Sequence, residues 1–200
     1  MSISICAASV EEIYKEIDSN YNALDPIYSL DYASYWRQRD SFTENYAWAI
    51  PDKNAIQQIT EFAAGDTILE IGSGTGLWAM LLEANGAEII PTDITLSKRS
   101  FVFLKSYLNI EEISPIAAIK KYNGIANALF LCWPPVSSFC DKIIPAFKGN
   151  KIIYIGEDSG GCTATELFHK KLNKHFECVS DIQIRQWDGI HDHLTMYKRE

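Results

Sequence analysis

Apolar positions change their spacing once along the chain, near Gly65. Before that point they recur every three or four residues. Ile13, Tyr14 and Ile17 follow Ser9 and Glu12, which read as a capping box opening a helix. After Pro51-Asp52, the residues Ile56, Ile59 and Phe62 share one helical face and Gly65 supplies a stop. Between these helices lies an aromatic-rich stretch that includes Tyr28, Tyr35, Trp36, Phe42, Tyr46 and Trp48. It reads either as a packing layer or as a lid that touches a ligand.

Beyond Gly65, short apolar runs alternate with helical stretches. Runs at 67–71, 88–92, 128–133 and 151–156 read as strands, with a weaker one within 114–119. Helical spacing appears over 77–84, 97–108, 139–147 and 163–176. In the last of these, Leu167, Phe168, Leu172 and Phe176 fall on one face, and Thr163 with Glu166 forms a capping box. This alternation predicts an α/β fold, a mostly parallel, doubly wound sheet covered by helices on both faces. Two final strands, about 178–186 and 193–198, are separated only by the turn-like Trp187-Asp188-Gly189. No helix fits between them, so they must pair as an antiparallel hairpin. The chain therefore divides into a helical N-terminal extension over 1–64 and an α/β domain over 65–200.

Composition narrows the function classes. Two hundred residues, 47% hydrophobic and 22% charged, suffice for one full core, because a chain of this size buries about 70% of its extended surface. The net charge of −8 provides no general field for phosphate backbones or anionic membranes. A nucleic-acid partner would need a local cluster such as Lys98, Arg99 and Lys105. Five cysteines without CxxC spacing fit neither a disulfide framework nor a zinc site. The apolar run from Ile3 to Val10 is too short to span a bilayer and lacks preceding basic residues. A cytoplasmic protein with no membrane partner and no bound metal is the expectation.

The motif with the most chemistry is Glu70-Ile71-Gly72-Ser73-Gly74-Thr75-Gly76, placed between a strand and a helix. Alternate glycines permit a sharp turn and a close approach of backbone to ligand, and the N–H groups opening the helix favour an anionic or carboxylate group. A dinucleotide fingerprint would place its third small residue at position 77, which is Leu77 here. Nicotinamide chemistry is therefore disfavoured. Asp93 ends the next strand, 21 positions after Gly72. A carboxylate there can accept hydrogen bonds from both hydroxyls of a ribose.

These residues resemble the first motif and the ribose-binding acid of the class I S-adenosylmethionine-dependent methyltransferases. The terminal hairpin is similar to the reversed strand that closes that family's seven-stranded sheet. The resemblance covers about residues 50–200 and implies S-adenosylmethionine as cofactor. It implies that Glu70 positions the methionine end, that Gly72, Gly74 and Gly76 pass beside the cofactor, that Asp93 holds the ribose and that Ile94 packs on adenine. Where the family places an acid or amide after its third strand, this chain offers Ala117-Ala118-Ile119-Lys120.

Three further segments should reach the same sheet edge. In Cys132-Trp133-Pro134-Pro135, Trp133 replaces the polar residue of amino-directed methyltransferases and Val136 replaces their aromatic, which argues against adenine N-methylation. Trp133 is either a stacking wall for a planar or cationic acceptor or a core residue, and Cys132 reads as a buried structural thiol. Glu157 either orients or deprotonates an acceptor or accepts backbone N–H groups from the glycine-rich loop after it. His191-Asp192-His193 reads as a solvated turn, and His169 and His175 as surface or interhelix residues. Glu157 and Trp133 are thus the candidates nearest the chemistry. The acceptor would be a small molecule or a protein side chain; the rival reading is an inactive methyltransferase-like binding or regulatory module.

Overall fold

The computed structural model describes residues 7–22, 32–94 and 103–199. Five strands run parallel: β1 (Ile68–Ile71), β2 (Ile89–Asp93), β3 (Glu111–Glu112), β4 (Ala128–Cys132) and β5 (Lys151–Gly156). They are joined by β6 (Glu177–Gln183) and β7 (His193–Lys198), and β7 is antiparallel to both β5 and β6. The seven strands lie in the order β3-β2-β1-β4-β5-β7-β6. Strand order reverses between β1 and β4, which puts the ligand crevice of a doubly wound sheet at their carboxyl ends.

Alternation along the strands sorts their side chains into two cores. Ile68, Phe130, Ile153 and Leu194 face one side, with α1 (Ala7–Asn22), α2 (Tyr32–Asn45), α3 (Lys53–Ala63) and α4 (Leu77–Ala84). Leu69, Leu129, Leu131 and Ile152 face the other, under α5 (Pro115–Tyr122), α6 (Cys140–Ala146) and α7 (Glu166–His175). The described helices before Gly65 thus bury Ile17, Phe42 and Ile59 in the same core as the sheet. Asp52 caps α3 by accepting a hydrogen bond from Ala55 N at 2.9 Å, and Ala64 ends it in the left-handed conformation.

Several expected elements shift. Helix α1 begins at Ala7, so Ser9 lies inside it rather than capping it. The third strand is Glu111–Glu112, and 115–122 is a helix started by Pro115, with Ala118 and Ile119 buried and Lys120 and Lys121 in its last turn. Part of the helix expected over 97–108 lies outside the described residues, and 103–108 is not helical. Thr165, not Thr163, caps α7 by accepting from Phe168 N at 3.0 Å. Leu167 faces outward at 48% exposure, whereas Phe168, Leu172 and Phe176 are buried. His169 is buried as well, against the rings of Tyr154 and Phe168, so of its two expected places, surface or interhelix, the surface one is excluded. Among the described residues, no helix is long and apolar enough to cross a membrane.

Candidate active site

A cleft of about 590 Å³ opens at the carboxyl ends of the central strands. Its floor is the glycine turn. Gly72 N and Ser73 N both donate to Thr92 O, at 2.9 and 3.0 Å, which ties the turn to β2. Gly72, Gly74 and Gly76 all have positive φ, at 81°, 57° and 76°, a region that a Cβ makes costly. A Cβ on Gly72 would meet only open space, whereas one on Gly74 would stand 3.0 Å from Phe103 Cζ. From the connection between α2 and α3, Tyr46 O accepts the Thr75 hydroxyl and Ala49 O accepts Trp78 Nε1 at 3.2 Å. These bonds seat Ala47 and Trp48 on the cleft wall.

Two carboxyl groups meet at this floor. Asp93 accepts from Gly74 N at 2.8 Å through Oδ2 and from Ile94 N at 2.6 Å through Oδ1. Asp93 itself lines the cleft. Glu70 is 1% exposed, and among the described residues its Oε2 has no hydrogen-bond partner. Burial pushes its pKa from 4.5 up to about 7; the neighbouring Asp93 charge adds to the rise and a Ser73 hydrogen bond opposes it. An orphaned buried acceptor costs free energy until a donor arrives, so this atom marks the place for a ligand N–H or a water. Beside Asp93 the wall is apolar, formed by Ile94, Phe103, Ile113 and Pro115. With β3 at 111–112, the residues after the third strand are Ile113 and Ser114; Ala117–Lys120 belongs to α5.

At the other end, Trp133 leaves β4 in the left-handed conformation, φ 53°, and its N donates to Ile155 O at 2.8 Å. Its Nε1 donates to both oxygens of Asp192 at 2.8 Å, and its ring stacks on Trp48 with centroids 5.0 Å apart and planes 8° from parallel. The structure therefore brings Trp133 onto the cleft wall, with its edge pinned by Asp192 just before β7. Asp192 is fully buried rather than part of a solvated turn. Burial pushes its carboxyl up to about 6, against the Trp133 bond.

Glu157 is not among the described cleft-lining residues but lies next to Cys162, which is. Its Oε2 accepts from Cys162 N at 2.7 Å and its Oε1 from His191 N at 2.9 Å. Burial raises its pKa, but the bonds from Cys162 and His191 outweigh burial and hold it below the ordinary carboxylate range. Thr163 joins Tyr154, Glu157 N and Glu157 O in one cluster, the work it does in place of capping α7. Desolvation keeps the Cys132 thiol well above its ordinary pKa and pushes Cys162 up to about 12. His193 pairs with Asp181 at 2.7 Å and His191 faces solvent. Asp192 and Trp48 had no distinguishing signal beyond their segments, and Ile113 and Pro115 were hidden by the misplaced third strand.

No protein-family model matches the chain, and no curated protein does. Solved structures do. Magnesium protoporphyrin IX methyltransferase (ChlM) of Synechocystis PCC 6803, with bound S-adenosylmethionine, is 10% identical; the match covers 90% of this chain and 97% of that one at a TM-score of 0.51. TehB of Haemophilus influenzae is 12% identical over 81% and 67% of the two chains, with a TM-score of 0.50. The chain spans about half of two longer matched structures, 48% and 49% of their lengths, at TM-scores of 0.47 and 0.48. At such identities the likeness concerns architecture, and it agrees with the strand order and reversed β7. The chain has the fold of the class I S-adenosylmethionine-dependent methyltransferases.

Proposed function

We propose that this chain is an S-adenosylmethionine-dependent methyltransferase acting on a small molecule or a protein side chain. The observation that carries the proposal is the unsatisfied Glu70 Oε2 beside Asp93 and the open face of Gly72, all at the switch point of the sheet. These residues fit the cofactor's polar groups: a buried acceptor for an amino group or its water, a carboxylate for ribose hydroxyls and a wall of Ile94, Ile113 and Pro115 for a flat base. When bound, the cofactor supplies an electrophilic methyl group.

The chain's own part is positioning. Displacement at a methyl carbon is in-line, so much of the rate comes from holding the acceptor aligned and dry. Trp48 and Trp133 form a rigid wall for a planar acceptor. Glu157 is given a positioning role, since its carboxylate ties the 158–162 loop and His191 to β5. The rival binding-module reading draws on the same fact: Glu157 is engaged, and both cleft thiols are held protonated. Calorimetry with S-adenosylhomocysteine tests the cofactor claim, with one equivalent bound as the expected result. No heat at millimolar ligand would overturn it. Transfer of label from S-adenosylmethionine to a component of a cell extract would exclude the non-enzymatic reading.

A further inference from the structure

Four of the five tryptophans surround one cation. The Arg39 guanidinium carbon lies 4.8, 5.0, 5.1 and 5.5 Å from the ring centroids of Trp36, Trp48, Trp133 and Trp187. Its distances to Trp48 and Trp133 nearly equal the 5.0 Å between those rings, so the three groups form a near-equilateral triangle. Arg39 thus lies against both rings of the stack that walls the cleft. The side chain is 5% exposed, and among the described residues its Nε and Nη2 have no hydrogen-bond partner. Aromatic faces compensate part of a buried positive charge, but they leave in-plane N–H donors unmet.

The two unmet nitrogens are not an arbitrary pair. Nε and Nη2 share one edge of the guanidinium, the edge that receives the two oxygens of one carboxylate. No carboxylate of the described residues fills it. Asp192 acts on Arg39 only through space, and its oxygens are occupied by the Trp133 indole. Among the described residues, no lysine or arginine lines the cleft itself. We infer that Arg39 is the specificity-determining residue for the acceptor, and that the acceptor is a flat, largely apolar molecule carrying a carboxylate, bound at the Nε–Nη2 edge. The apolar body lies along Trp48, Val136 and Phe139. The inference rests on the methyltransferase reading of the same cleft.

The test uses the full chain saturated with S-adenosylhomocysteine and two probes of one shape, naphthoate and naphthylmethanol, titrated by calorimetry. Naphthoate is expected to bind at least about tenfold tighter, the least effect of a charge-assisted pair of bonds. Arg39→Lys keeps the charge and loses the fork; it should reduce naphthoate binding to the level of the alcohol and leave S-adenosylhomocysteine binding unchanged. Equal affinities for the two probes, or no naphthoate binding by the loaded protein, would overturn the inference, as would an unaffected Arg39→Lys protein. The probe comparison stands without the variant should Arg39→Lys fail to fold. Failure of S-adenosylhomocysteine itself to bind would count against the cofactor reading instead.

Discussion

Glu70→Gln is the most informative substitution, because it separates the fold's interest from the site's. Glu70 is buried, with one orphaned oxygen and a pKa raised from 4.5 to about 7 by burial. An acid whose folded pKa is raised binds its proton more tightly when folded. Stability is therefore full below about pH 4.5, falls as pH rises towards 7 and stays reduced above it. A rise from 4.5 to about 7 corresponds to about 3 kcal/mol at about 1.4 kcal/mol per pH unit. Glutamine has nearly the same shape and no charge to desolvate. The variant should match the parent near about pH 5 and exceed it by up to about 3 kcal/mol near about pH 8, while binding S-adenosylhomocysteine more weakly. Urea unfolding of both ligand-free proteins across that range checks this. Parallel pH dependences would refute the placement of an ionisable, desolvated carboxyl at the cleft floor. A companion readout is proton release: a cationic ligand group should draw Glu70 into its ionised form, so binding near about pH 6 releases a proton in calorimetry across buffers.

Two other substitutions probe the two ends of the cleft. Asp93→Ala should weaken S-adenosylhomocysteine binding by about 1–3 kcal/mol through lost charge-assisted hydrogen bonds; an unchanged dissociation constant would mean the ribose is held elsewhere. Trp133→Phe removes the donor to both Asp192 oxygens and leaves that carboxylate buried and unmet. A loss of about 1–3 kcal/mol at neutral pH is expected, shrinking as pH falls below the range near 6 where Asp192 takes up a proton. A pH-independent loss in urea unfolding would place the effect in ring packing alone.

The parts of the fold that were legible are those set by local pattern. The bounds of α4 and β5 follow from dense apolar runs closed by asparagine and glycine, and those of β7 from the apolar run after the Gly189 turn. The glycine turn was readable because three positive φ values within five residues demand that spacing. The β3 strand was not: two glutamates at a sheet edge bury little and carry no apolar alternation. The same is true of Arg39. Within Arg37-Gln38-Arg39-Asp40 nothing distinguishes it from a solvated helix face. Its burial comes from Trp133 and Trp187, distant in sequence and brought to α2 by the ends of β4 and the β6–β7 connection. Asp192 likewise gains its partner only when β7 inserts beside β5. Glu70 was visible as part of a motif, but its raised pKa is a product of complete burial.

The central claim is that the cleft at the β1–β4 switch point holds S-adenosylmethionine. A crystal structure of the chain with S-adenosylhomocysteine tests it most directly. The account expects ribose hydroxyls on the Asp93 carboxylate, the ligand backbone over Gly72 and an amino group or bridging water on Glu70 Oε2. Ligand density elsewhere on the sheet edge, or in the cleft without contact to Asp93 and Glu70, would contradict it.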